Sequence, residues 1–198
     1  MAVFVGDTMI KLARRAEAER VLSGMTLGFS ADPFMRWLYP EPHQFLEVFP
    51  RVLDLHGGAA FDHDGAFCND DFTAGALWLP PGAHPDEEGL MACFAETLAP
   101  EKHEALFATF ERMGAAHPVE PCWHLAMVSV DPAKQGQGQG SALMSEGLAA
   151  CDRAGSLAYL ESTDRANLTL YRRCGFEEIG AIELPGAPPI FPMLRSPR

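Results

Sequence analysis

From Val128 to Ser141 the chain reads Val-Ser-Val-Asp-Pro-Ala-Lys-Gln-Gly-Gln-Gly-Gln-Gly-Ser, an apolar strand entering a loop where every second residue from Gly136 to Gly140 is glycine. Glycine lets successive backbone N–H groups converge, and an anion can approach the main chain with no Cβ in the way. A helix starting at about Ser141 would point its positive end at the same spot. The pattern therefore predicts a phosphate cradle. Spacing narrows the type. A Walker loop needs Gly, four residues, then Gly-Lys-Ser/Thr, whereas Lys134 here precedes the glycines and no lysine follows them. A dinucleotide fingerprint takes Gly136 and Gly138 but meets Ser141 at its third glycine, although Glu161 lies about 20 residues on. In addition, the residues from Asp131 to Gln135 separate the strand end from Gly136, where a dinucleotide fold turns almost at once.

A third pattern, Gln/Arg-x-x-Gly-x-Gly/Ala, is matched by Gln135, Gly138 and Gly140 without exception. It resembles the coenzyme A loop of the GCN5-related N-acetyltransferases (GNAT). Downstream, Asn167-Leu-Thr-Leu-Tyr171-Arg-Arg-Cys-Gly175-Phe176 is similar to the second signature of that family. Softer segments resemble the puromycin N-acetyltransferases and their relatives: Phe29-Ser-Ala-Asp32-Pro33, Asn69-Asp-Asp71, Ala74-Gly-Ala-Leu-Trp78, Pro121-Cys-Trp123-His-Leu125 and Tyr159-Leu-Glu161-Ser. The resemblance implies a mixed α+β, single-domain GNAT fold spanning 1–198. Its twisted sheet is mostly antiparallel, with flanking helices and a parallel pair at the family's fourth and fifth strands, and the coenzyme and catalytic core falls at about 120–198. It also implies acetyl-CoA as cosubstrate and no metal.

Composition sets outer bounds. The 198 residues are 47% hydrophobic and 21% charged, enough for a full core in one domain. No apolar run approaches the ~20 residues that span a bilayer, and the opening Met-Ala-Val-Phe-Val-Gly-Asp shows no secretory pattern. A cytoplasmic protein is the expectation. Five widely separated cysteines without a Cys-x-x-Cys argue against a disulfide framework or a structural zinc, and read as buried small hydrophobes. The formal charge of −12 repels polyanions, so nucleic acid is not an expected partner, while cationic amines are attracted. The chain is compatible with a homodimer.

Periodicity places a strand near Met9 to Ala13 and a helix from about Glu17 to Phe29, stopped by Asp32-Pro33. Phe34 to His56 is aromatic-rich with helical stretches, closed by Gly57-Gly58. Strands follow before Leu79, with Asp70-Asp71 as a hairpin turn; Ala59 to Asp62 is left open between strand and loop. Helices are expected from Asp86 to Leu98 and from Pro100 to Gly114. A strand (Trp123 to Val130), a helix (Ala142 to Arg153) and a strand (Leu157 to Ser162) then form one right-handed crossover between parallel neighbours. An Asn167 to Cys174 helix precedes two closing antiparallel strands, Phe176 to Leu184 and Ile190 to Leu194.

Under the resemblance, backbone N–H groups of Val128, Ser129 and Val130 bind pantetheine, and Gln135, Gly136, Gln137, Gly138, Gly140 and Ser141 hold the pyrophosphate. Lys134, Arg165, Arg172 and Arg173 are the nearby cations, with Arg173 assigned to the cofactor. Tyr171 is the candidate general acid. Asn167 either bonds the pantetheine arm or caps its helix, with Gly175 as the stop. Glu161 is the candidate base, directly or through a water, and His124 is its rival; alternation puts His124 opposite Trp123 and Leu125 without fixing which face meets the cleft. His56, Asp62, His63 and Asp64 look superficially like metal ligands but fit a polar turn better. The expected function is acetyl transfer from acetyl-CoA to the primary amine of a small molecule by direct attack. Alternatives are a protein N-terminal or lysine acetyltransferase, and a non-catalytic acyl-CoA-binding regulatory module.

Overall fold

In a computed structural model the backbone is described at residues 4–5 and 8–198, with side chains described from residue 9. The reading of residues 1–7 as free of a secretory pattern thus falls mainly outside the described residues. Eight strands form one sheet: β1 (Phe4–Val5), β2 (Thr8–Leu12), β3 (Ala66–Asn69), β4 (Ala74–Leu79), β5 (Cys122–Val130), β6 (Leu157–Ser162), β7 (Glu177–Glu178) and β8 (Phe191–Arg195). Their order is β1-β2-β3-β4-β5-β6-β8-β7, antiparallel throughout except for the parallel pair β5–β6. That pair is the crossover expected from the sequence.

β4 lies in mid-sheet and is buried along its whole length, so its side chains sort by parity between two cores. Leu77 and Leu79 face α1 (Ala18–Gly28) and α3 (Pro42–Gly57), through Val21, Met25, Phe49 and Leu53. Ala74, Ala76 and Trp78 face α6 (Gln139–Ala154), through Leu143, Met144 and Leu148. Gly147 of α6 sits directly on Trp78: a Cβ there would come within 2.2 Å of the indole. Because Trp78 is fully enclosed, Gly147→Ala is expected to cost about 1–3 kcal/mol by overpacking. Thermal unfolding should show Tm lowered by roughly 2–12 °C.

The remaining helices follow local signals. Asp32 does not merely stop α1; it caps α2 (Pro33–Leu38) by accepting from Phe34 N and Met35 N. Glu41 caps α3 in the same way, and Pro33 and Pro42 occupy first-turn positions where no N–H is needed. α4 (Glu87–Thr97) and α5 (His103–Ala116) are the two expected helices beside the cleft, with Pro100–Lys102 forming a 3-10 turn before α5. The open segment resolves as a 3-10 turn, Gly58–Asp62. α7 (Leu168–Arg173) ends at Gly175, whose φ of +93° suits glycine. Four of the five cysteines are buried and Cys174 is half-buried, all as free thiols.

One expected strand is much shorter. From Phe176 to Leu184 only Glu177–Glu178 pair, followed by a single bridge between Ile182 and Ile190. Phe176 N is still bonded to Tyr171 O in the helix stop, and Gly180 weakens an exposed edge that has a neighbour on one side only.

The feature that creates the site is a bulge. Trp78 pairs with Leu125 and Leu77 with Met127, so Ala126 is an extra residue in β5. Trp123 and Leu125 face α6 before the bulge, and Val128 and Val130 do so after it. β5 and β6 pair only at Cys122–Leu157, Trp123–Ala158 and His124–Tyr159. Beyond them the strands part, β5 staying on β4 and β6 on β8. No described helix is long and apolar enough to cross a membrane.

Candidate active site

A groove of about 690 Å³ runs over the glycine loop into the gap between β5 and β6. Gly136 and Gly138 adopt φ of +74° and +82°, which is why glycine is needed at both. Gly138 is the N-cap of α6, which begins at Gln139, three residues before the expected Ala142. Ala142 is the first apolar residue of the pattern, but buried Gln139 already anchors the first turn by accepting from Asn69 Nδ2 at 3.1 Å. No side chain caps this helix. The first-turn amides thus stay available to an anion, reinforced by the helix dipole.

The loop residues divide by role. Gln135 Nε2 donates to Val130 O at 3.1 Å, so this side chain braces the loop against the strand end. Gly136, Gly138, Gly140 and Ser141 line the groove, whereas the exposed Gln137 does not. Of the nearby cations, Lys134 and Arg173 line it. Arg165 instead stacks on Phe191, 4.6 Å from its centroid, and Arg172 pairs with Glu178.

Register settles which amides face the gap. Asp131 N donates to Thr73 O at 2.7 Å, making Thr73–Asp131 a hydrogen-bonded pair. By antiparallel alternation Gly75–Ser129 is another, so Ser129's N–H is spent on β4. Val128 and Val130 point their N–H groups the other way, into the gap. Of the three expected pantetheine contacts, Ser129 is corrected: its amide serves the sheet and its hydroxyl donates to Met25 O.

Tyr171 and Asn167 line both the groove and a small chamber of about 80 Å³ inside the gap. Asn167 stands at the N-cap of α7 but makes no capping bond; the turn before it is capped by Asp164, which accepts from Ala166 N at 2.9 Å. Its side-chain amide therefore has no capping duty. Burial, with the negative charge of Asp32 nearby, pushes the Tyr171 phenol well above its ordinary range, so it stays protonated. Asp32 itself is buried, and Thr163 Oγ1 donates to it at 2.6 Å, tying the start of α2 to the end of β6.

Across the chamber stands Glu161, with His124 Nε2 2.8 Å from its Oε2. Burial alone would raise this carboxyl, but the charge and hydrogen bond of His124 outweigh it and hold it below the usual range. His124 faces the cleft together with Glu161 and Tyr159, opposite Trp123, and the two candidate bases are thus one pair. His56 lies beside them, its ring 6.0 Å from that of His124, and burial followed by His124's charge lowers its pKa to about 4. The Tyr159 hydroxyl is buried without a well-aligned hydrogen bond, near enough to Glu161 that burial and the carboxylate raise it far above its ordinary value. Asp62 and Asp64 pair with Arg15 and Arg14.

On the far side of Glu161 an outer cavity of about 760 Å³ opens between α4, α5 and the start of β5. His117 lies on it, its ring 5.6 Å from that of His124. An anion-suited groove and a wide outer cavity thus lie on either side of the chamber that Tyr171 and Glu161 line. Residues 101–178 match the family model of the acetyltransferase (GNAT) domain. Over this segment, which includes the glycine loop, Glu161 and Tyr171, the chain is similar to the GNAT acetyltransferases.

Solved structures agree on the fold. A Corynebacterium glutamicum protein titled histone acetyltransferase HPA2 and related acetyltransferase is 24% identical, with 96% of each chain covered and a TM-score of 0.65. The Drosophila melanogaster polyamine N-acetyltransferase, titled as forming N-acetylagmatine, is 16% identical, covering 96% of this chain and 100% of that one at TM-score 0.67. Arylalkylamine N-acetyltransferase 2 from Aedes aegypti is 12% identical, covering 98% and 100% at TM-score 0.67.

Sequence reasoning missed Asp32, His56 and His117 as cavity residues. Asp32 reads as a helix boundary and His56 as part of a polar turn; only the folded chain carries them to the gap. The Asp-Pro signal for α2 was present, but nothing local says that its carboxylate meets Thr163.

Proposed function

We propose that this protein transfers an acetyl group from acetyl-CoA directly to the primary amine of a small, cationic molecule. The observation that carries this reading is the placement of Tyr171 and Glu161 on one chamber that shares lining residues with the glycine-loop groove on one side and with the outer cavity on the other. Acetyl-CoA supplies the thioester. The uncapped first turn of α6, with Gly136, Gly138, Gly140, Ser141, Lys134 and Arg173, holds its pyrophosphate. Val128 and Val130 N–H groups and Asn167 hold the pantetheine arm, and the amide aimed at the thioester oxygen favours charge developing there.

Glu161, kept ionised by His124, takes the proton that the incoming ammonium must lose, directly or through a water. Tyr171 returns a proton to the departing thiolate. A phenol with a raised pKa is a weak acid for this, so its position beside the gap must supply the advantage. Cys122, the thiol at the outer cavity, is pushed up to about 11 by burial and the nearby carboxylates, which favours direct attack over an acetyl-cysteine.

A charge of −12 supports a cationic acceptor and argues against nucleic acid as a partner; the activity is assigned to the cytoplasm. The amine acceptors in the titles of the Drosophila and Aedes proteins favour the small-molecule reading. A panel of aminonucleosides, polyamines and aryl-alkyl amines, set against peptides with free N-termini, tests it. The small amines should react faster. Faster acetylation of the peptides would overturn the assignment in favour of a protein-modifying enzyme.

A further inference from the structure

The inner chamber and the outer cavity share five lining residues: His56, Leu90, Phe110, Met113 and Glu161. These stand between a space of about 80 Å³ and one of about 760 Å³, at the neck through which anything passing from one to the other would go. Three of the five are apolar. Leu90 is fully packed, and Phe110 leans on Phe94 with ring centroids 5.9 Å apart, so the apolar wall is braced from behind. The two polar members, His56 and Glu161, stand where an amine would have to pass.

We infer that this neck selects acceptors whose primary amino group ends an unbranched alkyl arm, with the bulk of the molecule held in the outer cavity. The inference rests on the acetyl-transfer reading above. A cavity of about 150 Å³ holds a benzene ring; a chamber of about 80 Å³, which must also admit the acyl end of the donor, has room for a nitrogen and a few methylenes. An aromatic ring one carbon from the nitrogen, or a methyl branch beside it, would have to sit in the neck. The outer cavity, by contrast, is wide and mixed in character, with His84, Glu87, His117 and Glu120 on its lining. It can accommodate a large head, aromatic or charged, at the far end of the arm.

The test compares phenylpropylamine, its α-methyl derivative and benzylamine as acceptors with acetyl-CoA, in the parent and in Met113→Ala. In the parent, kcat/KM should fall at least about tenfold from phenylpropylamine to each of the other two, the scale on which a single misfit methylene group discriminates. Met113→Ala, which widens the neck, should shrink both ratios to within about threefold; Phe110→Leu serves the same purpose if that variant does not fold. Equal rates for the three amines in the parent, or ratios unchanged in the folded variants, would overturn the neck while leaving acetyl transfer intact. No turnover of any amine by protein that binds acetyl-CoA would overturn the transfer reading, and the inference with it.

Discussion

Tyr171→Phe should lower kcat by about 10²–10⁴ while leaving acetyl-CoA affinity nearly unchanged, the pattern of a group that acts on the departing thiolate alone. The variant keeps the ring that packs against Phe176 at 6.3 Å and removes only the hydroxyl facing the chamber. The fold should tolerate it. Because the phenol is held above its ordinary range, it remains protonated across neutral and moderately alkaline pH, so it should contribute no ionisation to the kcat profile there. Steady-state kinetics with calorimetric binding check both parts. Equal turnover by the two proteins would leave Tyr171 a packing residue.

Glu161→Gln should reduce kcat/KM by about 10²–10⁴ near neutral pH, and by less as pH approaches the amine's own pKa. The sign follows from the direction of the shift. His124 holds the Glu161 carboxyl below its usual range, so the parent has its base ionised throughout neutral pH and loses it only in acid. The variant must wait for the free amine, which a typical alkylamine supplies only near pH ~10. The ratio of parent to variant should therefore narrow steadily with rising pH. A ratio constant across the range would assign proton removal elsewhere.

Much of this site is written in local chemistry. Gln135, Gly138 and Gly140 have the spacing that an anion cradle needs, and Gly138 proves to be the left-handed residue from which α6 starts. The α7 segment with Gly175 behind it is equally local: a short helix and the glycine that stops it. What the sequence does not reveal depends on pairing between distant strands. Ala126 becomes a bulge only against Leu77 and Trp78, and that bulge reverses which side chains of β5 face α6. Hence the cleft-facing side of His124, and the loss of Ser129's amide to the sheet, could not be read from alternation alone. His56 is 68 residues from His124 in sequence yet 6.0 Å away ring to ring, a contact made by how α3 packs on the sheet. The shortened strand after Phe176 has a different cause, since a β-like pattern at an edge lacks the second neighbour that would stabilise it.

The proposed function depends on direct transfer from a donor held in the groove to an amine arriving from the opposite cavity. The most direct measurement follows free-thiol release from acetyl-CoA with and without the preferred small amine, together with the intact masses of protein and product. Thiol release should depend on the amine, the product should carry one acetyl group, and the protein's mass should stay unchanged. Thiol released without amine, with an acetyl group left on the protein, would contradict the account.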